Sequence, residues 1–296
     1  MLSGKLPCPG ERPKSILGKF LPTAFANEGT LLIVLKSYFD KSGQEDATYM
    51  TLGAVAGSDS LWAEIEQTWN YCLSAGDPKA AYMHLVEAVP LRGEFSKEKG
   101  WDDDKVFGLV NQLLSYLSTI SKTRYLHISC TVDMNAYRKL QAEGYQMDSP
   151  ADLCVTACVF GLFDWYLHQY QGLDLEAHYY FDTGEPFEPI LKAKWETELE
   201  MSQRTGDYSF WTHIKHIGPA QMRCTPGIQI ADMLAWATNR DLHDFGQTLV
   251  RQRYQDLIIP LRSLIPTKYA TWDEARMRKQ FKPLVWRSHD QDKFRL

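Results

Sequence analysis

From residue 31 onward the chain switches between alternating and helical spacing of apolar positions, and the switches mark out its elements. Residues 31–40 (LLIVLKSYFD) form a short β-rich run that stops at the turn sequence KSGQED. Residues 47–56 resume strand-like composition, which predicts a hairpin. Ser58 is a candidate N-cap, and Leu61, Ile65, Trp69 and Leu73 behind it recur at helical spacing. Residues 81–89 fit a strand or a short helix equally well, and a polar loop separates them from a helix expected over 105–121. Strands are predicted over 124–132, 175–182 and 211–217, and helices over 150–170, 187–201 and 226–243, the last with Pro226 in its first turn. The helix over 150–170 is apolar nearly all round, so it is expected to be buried on several faces. Strands and helices alternate without a break in composition, which predicts one mainly α/β sheet with helices on its faces.

Composition changes this picture only at the ends. Residues 1–28 are rich in Pro, Gly and Lys without periodicity and predict a loosely ordered arm ahead of a domain over 29–260. Residues 261–296 are set apart as a basic, aromatic extension. There Arg276, Arg278, Lys279, Lys282, Arg287, Lys293 and Arg295 face only Asp290 and Asp292 over 276–296, with Phe281, Trp286 and Phe294 interleaved. Such a strip suits single-stranded nucleic acid, and it equally suits a tail docked on its own acidic surface. The net charge of −5 argues against a broadly basic nucleic-acid coat. The six cysteines contain no CxxC pair, and Cys154 and Cys158, one helical turn apart, are expected in the core. The first residues carry charges and prolines where a signal peptide needs an apolar stretch, and no membrane span is expected, so the cytoplasm is the expected location.

The candidate chemistry lies in three aspartates. Asp40 and Asp182 close predicted strands, at the sheet edge where α/β proteins bind ligands. Asp232 lies on a helix whose Gln229, Asp232, Trp236 and Asn239 form one row beside an apolar stripe. Taken singly, a strand-end aspartate is explained as a turn cap. Gathered in one cleft they would repel unless a hard divalent cation, Mg²⁺ or Mn²⁺, lay between them. Glu87 is the expected fourth carboxylate, and Glu185 is near enough in sequence to Asp182 to reach the same ion. His84, Ser42 and Gln229 are the expected substrate-contacting or positioning residues. A serine or cysteine hydrolase finds no GxSxG motif here.

The succession SYFDKSGQ, MHLVE, YYFDTGE and TPGIQIADMLAWATNR resembles the bacterial and phage family known as domain of unknown function 3800, over roughly residues 31–245. The resemblance implies a ribonuclease-H-like mixed sheet flanked by helices, with Asp40, Asp182 and Asp232 of the Q-x-A-D motif as metal ligands. It implies a divalent-metal-dependent nuclease acting on DNA or RNA. One departure stands out: the family's Asp-Glu-Ser-Gly is Asp40-Lys41-Ser42-Gly43 here. Neighbouring strand residues point to opposite faces, so Lys41 need not enter the site. If the family's glutamate is a ligand, a cation in its place weakens metal binding. The alternative is therefore a catalytically weakened module that binds nucleic acid or a protein partner.

Overall fold

Six strands pair into one mixed sheet in the order β5-β4-β1-β2-β3-β6. A computed structural model describes residues 32–43, 47–121, 123–170, 173–206, 210–243 and 267–283. The expected arm over 1–28 and the extension beyond 283 lie outside these residues. Strands β1 (Leu32–Ser42), β2 (Tyr49–Ser58) and β3 (Tyr125–Asp133) form an antiparallel meander. Strands β4 (Asp174–Asp182) and β5 (Ile214–Ala220) join in parallel beside β1. On the far edge β6 (Thr267–Trp272), within the segment set apart as an extension, pairs in parallel with β3. The predicted α/β class with a mixed, helix-flanked sheet is therefore observed.

The helices begin where the sequence supplies caps. Ser58 accepts a hydrogen bond from Leu61 N–H ahead of α1 (Asp59–Ala75). A single turn, α2 (Leu85–Ala88), follows, and Asp102 then caps α3 (Asp103–Thr119) through Lys105 N–H. Asp133 caps α4 (Met134–Ala142), and Ser149 caps α5 (Pro150–Gln169). Two further long helices follow, α6 (Phe187–Thr205) and α7 (Pro226–His243), and Asp273 caps α8 (Glu274–Gln280). Each such cap satisfies an N–H that the helix itself leaves open.

Alternation along the strands sorts side chains into two cores. On one face Leu35, Phe39, Leu52, Ile128, Tyr179 and Phe181 pack against α4, α5 and α6. On the other, Tyr38, Val55 and Tyr125 meet α1, α3 and α7. Cys130, Cys154 and Cys158 lie buried in the first core, and burial pushes the Cys154 and Cys158 thiols up, as inert core cysteines require. Helix α5 departs from expectation: Phe160 and Leu167 are exposed. The sheet covers one face, and Phe210 meets Phe160 on a flank without enclosing it. By length and composition α5 is apolar enough to cross a membrane, yet seven of its residues are buried in the fold.

The close seat of α7 on β2 depends on a missing side chain. A Cβ on Gly53 would stand 2.9 Å from both Ala231 O and Ala235 N, backbone atoms that no rotamer can move. Gly53→Ala is therefore expected to cost about 1–3 kcal/mol by overpacking. The melting temperature should fall by about 2–6 °C. An unchanged midpoint would show that α7 is free to shift.

Candidate functional site

Helix α7 meets the rest of the chain through the row of residues that sequence spacing singled out. Asp232 is 2 % exposed and Gln229 1 % exposed, so this row is buried rather than solvated. Gln229 Oε1 accepts from Trp69 Nε1 at 2.7 Å and from Met83 N at 2.9 Å, while its Nε2 donates to Met222 O at 2.8 Å. Three of its four hydrogen-bonding positions are thus spent on protein. Gln229 therefore fastens the segment around Met83, whose next but one residue, Leu85, donates to Asp232. Asp232 Oδ2 accepts from Leu85 N at 3.0 Å, two residues beyond Met83. Residues one turn apart on α7 thus fasten alternate N–H groups of a segment that has no strand partner among the described residues. Farther along, Asn239 Nδ2 donates to Ser42 O and Tyr49 O, both at 3.2 Å, and ties α7 to the β1–β2 hairpin.

His84 lies between the two fastened N–H groups. Its Nε2 is 3.9 Å from Asp232 Oδ1, and its Nδ1 is 3.5 Å from Glu87 Oε1. Glu87 Oε2 accepts from Tyr82 Oη and from Glu94 N, each at 2.9 Å. Burial works against the Glu87 charge, but these donors and His84 hold its carboxyl below the usual range. Gly93, at φ 55°, makes room: a Cβ there would stand 2.3 Å from Glu87 Oε2. Glu87 therefore joins Asp232 through His84, and it is committed to the loop over 82–94.

Asp40 and Asp182 extend from the same face of the sheet that α7 covers, because they share strand parity with Tyr38 and Tyr180. Strand β1 runs two residues past Asp40, which pairs with Gly53, whereas Asp182 is the last residue of β4. Asp40 is 5 % exposed, and its Oδ1 accepts from Lys41 N at 2.8 Å. Asp182 Oδ1 accepts from Met222 N at 3.1 Å. Each of the three aspartates thus gives one oxygen to a backbone N–H and keeps acceptor capacity for another partner.

The carboxylates feel one another. Burial, then the charge of Asp232, lifts the Asp40 carboxyl well above the ordinary range against the Lys41 N–H bond, and Asp182 and Glu185 add to the rise. Asp232 is pushed up to about 6, chiefly by burial. His84 and the Leu85 N–H oppose that rise, and Asp182 and Glu87 reinforce it. Oxygen donors of this type suit Mg²⁺ or Mn²⁺, and a buried carboxyl is tolerated when it is protonated or paired with a cation. Their present separation does not make a finished cage: among the described residues no three His, Cys, Asp or Glu side chains are gathered to hold a metal ion.

Lys41 is the cation at this edge whose position bears directly on the question. Its Nζ stands 2.8 Å from Glu185 Oε2. That buried oxygen has no well-angled hydrogen bond, so the contact is coulombic. Ser42 contributes its carbonyl to Asn239. Two described residues of the basic strip are engaged within the fold, where Arg278 pairs with Glu143 and Glu274 and Arg276 lies 4.3 Å over the Trp272 ring, while Lys279 and Lys282 are exposed. Trp69, Tyr82 and Glu94 escaped the sequence analysis as site residues, because their roles depend on backbone N–H groups and loop packing. No protein-family model, curated protein or solved structure matches the chain.

Proposed function

We propose that the chain is a divalent-metal-dependent phosphodiesterase acting on nucleic acid, built on a ribonuclease-H-like sheet. An antiparallel β1–β2–β3 meander with β4 and β5 parallel beside β1 is the arrangement expected of that class. The observation that carries the proposal is the electrostatic coupling of Asp40, Asp182 and Asp232, brought from two strands and a helix to one sheet edge. Those three aspartates would hold the ion, with Mg²⁺ or Mn²⁺ as the natural guest. When bound, it would activate water and stabilise the in-line phosphoryl transition state. The Leu85 N–H holds Asp232, Gln229 holds the same segment at Met83, and His84 lies between Asp232 and Glu87. A panel of labelled single-stranded, duplex and hybrid oligonucleotides with Mn²⁺ tests the activity; absence of cleavage across the panel would overturn it.

The Lys41–Glu185 pair favours a second reading, a weakened module that binds without cutting. An ammonium on Glu185, one of the charges that raise Asp40, would compete with a metal for the same negative potential. Removing one charge at this range is worth about 1 kcal/mol. Lys41→Ala should therefore tighten Mn²⁺ binding about 3- to 10-fold in calorimetry. Unchanged affinity would show that the ammonium lies outside the ion's field.

A further inference from the structure

The residues one step below the carboxylates on the same face are aromatic. Register pairs Lys36 with His178 and Tyr38 with Tyr180, so Asp40 and Asp182 lie just beyond Tyr38 and Tyr180 along their strands. Two strand residues advance by about 6.6 Å. Across the strands the rings form a continuous row. Trp62 meets Tyr38 edge-on at 4.7 Å, Tyr38 and Tyr180 stack at 5.3 Å, and Tyr180 lies 5.0 Å from His216 on β5. Trp62 Nε1 donates to Lys36 O at 2.9 Å, which fixes the closed end of the row. At the other end Tyr180 is half-buried and His216 exposed, because α7 covers β1 and β2 and leaves β4 and β5 open. A concavity of about 300 Å³ lies over Trp62, Tyr38 and Tyr180, walled by Glu66, by Thr225 and by the start of α7 at Pro226 and Gly227.

We propose that this concavity takes one unpaired nucleobase of the substrate, packed against the exposed edge of the Tyr180 ring, next to the phosphodiester presented to the carboxylates. The inference rests on the phosphodiesterase reading and narrows its substrate to strands with an unpaired base at the cut. Its volume is at the small end for ligand pockets, which suits one planar ring system. Rings supply the affinity, since every base has a π face. The phenol hydroxyls and Glu66 offer hydrogen-bonding groups to a base edge. Glu66 and the Lys36–Asp59 ion pair leave no free cationic cradle for a phosphate among the described residues here, so the base rather than the backbone is the expected occupant.

The test measures binding of a single-stranded oligonucleotide and of the same strand carrying one abasic site, by fluorescence anisotropy in EDTA, alongside Mn²⁺-dependent cleavage. Stacking is worth about 1–3 kcal/mol per base, so Tyr180→Ala should weaken binding about 5- to 100-fold. Tyr180→Phe should stay near wild type. The abasic site should weaken wild-type binding by a similar factor and have little further effect on Tyr180→Ala, because the two changes remove one contact. If wild type cleaves single strands while Tyr180→Ala binds and cleaves them equally well, the base pocket is overturned and the phosphodiesterase stands. If wild type neither binds nor cleaves any strand, both are overturned.

Discussion

Asp232→Asn is expected to abolish Mn²⁺-dependent cleavage, with a fall of about 10³-fold or more in kcat/KM, and Asp40→Asn to do the same. An amide cannot supply the charge that a hard divalent cation requires, and a fall of this size is about 4 kcal/mol of transition-state stabilisation. The substitution spares the fold for an identifiable reason. An amide at position 232 still offers a carbonyl oxygen to Leu85 N–H, and an amide at position 40 offers one to Lys41 N–H. It also removes a charge that burial and its neighbours penalise. In EDTA at pH 8 both variants should melt at or above the wild-type temperature while losing the stabilisation that Mn²⁺ gives the wild type. Cleavage within tenfold of wild type in either variant would remove that aspartate from the site.

Without metal, the protein should be more stable at pH 5 than at pH 8. Asp232 rises from 3.8 to about 6 on folding, and Asp40 rises as well. A raised carboxyl binds its proton more tightly in the folded chain. Its contribution is fully present below the unfolded value and is lost as pH climbs through about 6. For Asp232 alone the loss is on the order of 3 kcal/mol over the whole titration and roughly half of that between pH 5 and pH 8, so the midpoint should fall by about 2–3 °C in that window. Glu87 works in the opposite sense, since its lowered carboxyl gives up stability only on acidification below its ordinary range, outside this window. Asp232→Asn should flatten the slope, and Mn²⁺ at pH 8 should restore the lost midpoint. A melting temperature that is level from pH 5 to pH 8 and unaffected by Asp232→Asn would contradict the coupling.

The elements were legible where local chemistry decides them. Ser58, Asp102 and Ser149 cap helices within two residues of their expected starts, and the hairpin over 31–56 forms in antiparallel register. Partners distant in sequence decide the rest. Residues 81–89 were ambiguous because Met83 and Leu85 satisfy their N–H groups on side chains of α7 rather than in a sheet or a longer helix. Trp211, expected in a strand, lies in a helical turn against Phe160 and Phe210, and β5 begins at Ile214. Strand β6 is six residues long at a sheet edge, too short for alternation to distinguish it from loop. Asp40, Asp182 and Asp232 were legible as candidates from their strand-end and helix-row positions. What linked them was not: the His84 bridge, the Gly93 gap that admits Glu87, and the reach of Lys41 to Glu185 arise only when the loops are folded.

The most direct test of the shared site is diffraction from crystals soaked in Mn²⁺, read at the manganese absorption edge. A shared site should give an anomalous peak at about 2.0–2.2 Å from carboxylate oxygens of Asp40, Asp182 and Asp232, reached by side-chain rotation with the Leu85 and Met222 N–H anchors kept. Carboxylates left in their present positions with no peak between them, at a Mn²⁺ concentration that supports cleavage, would contradict it.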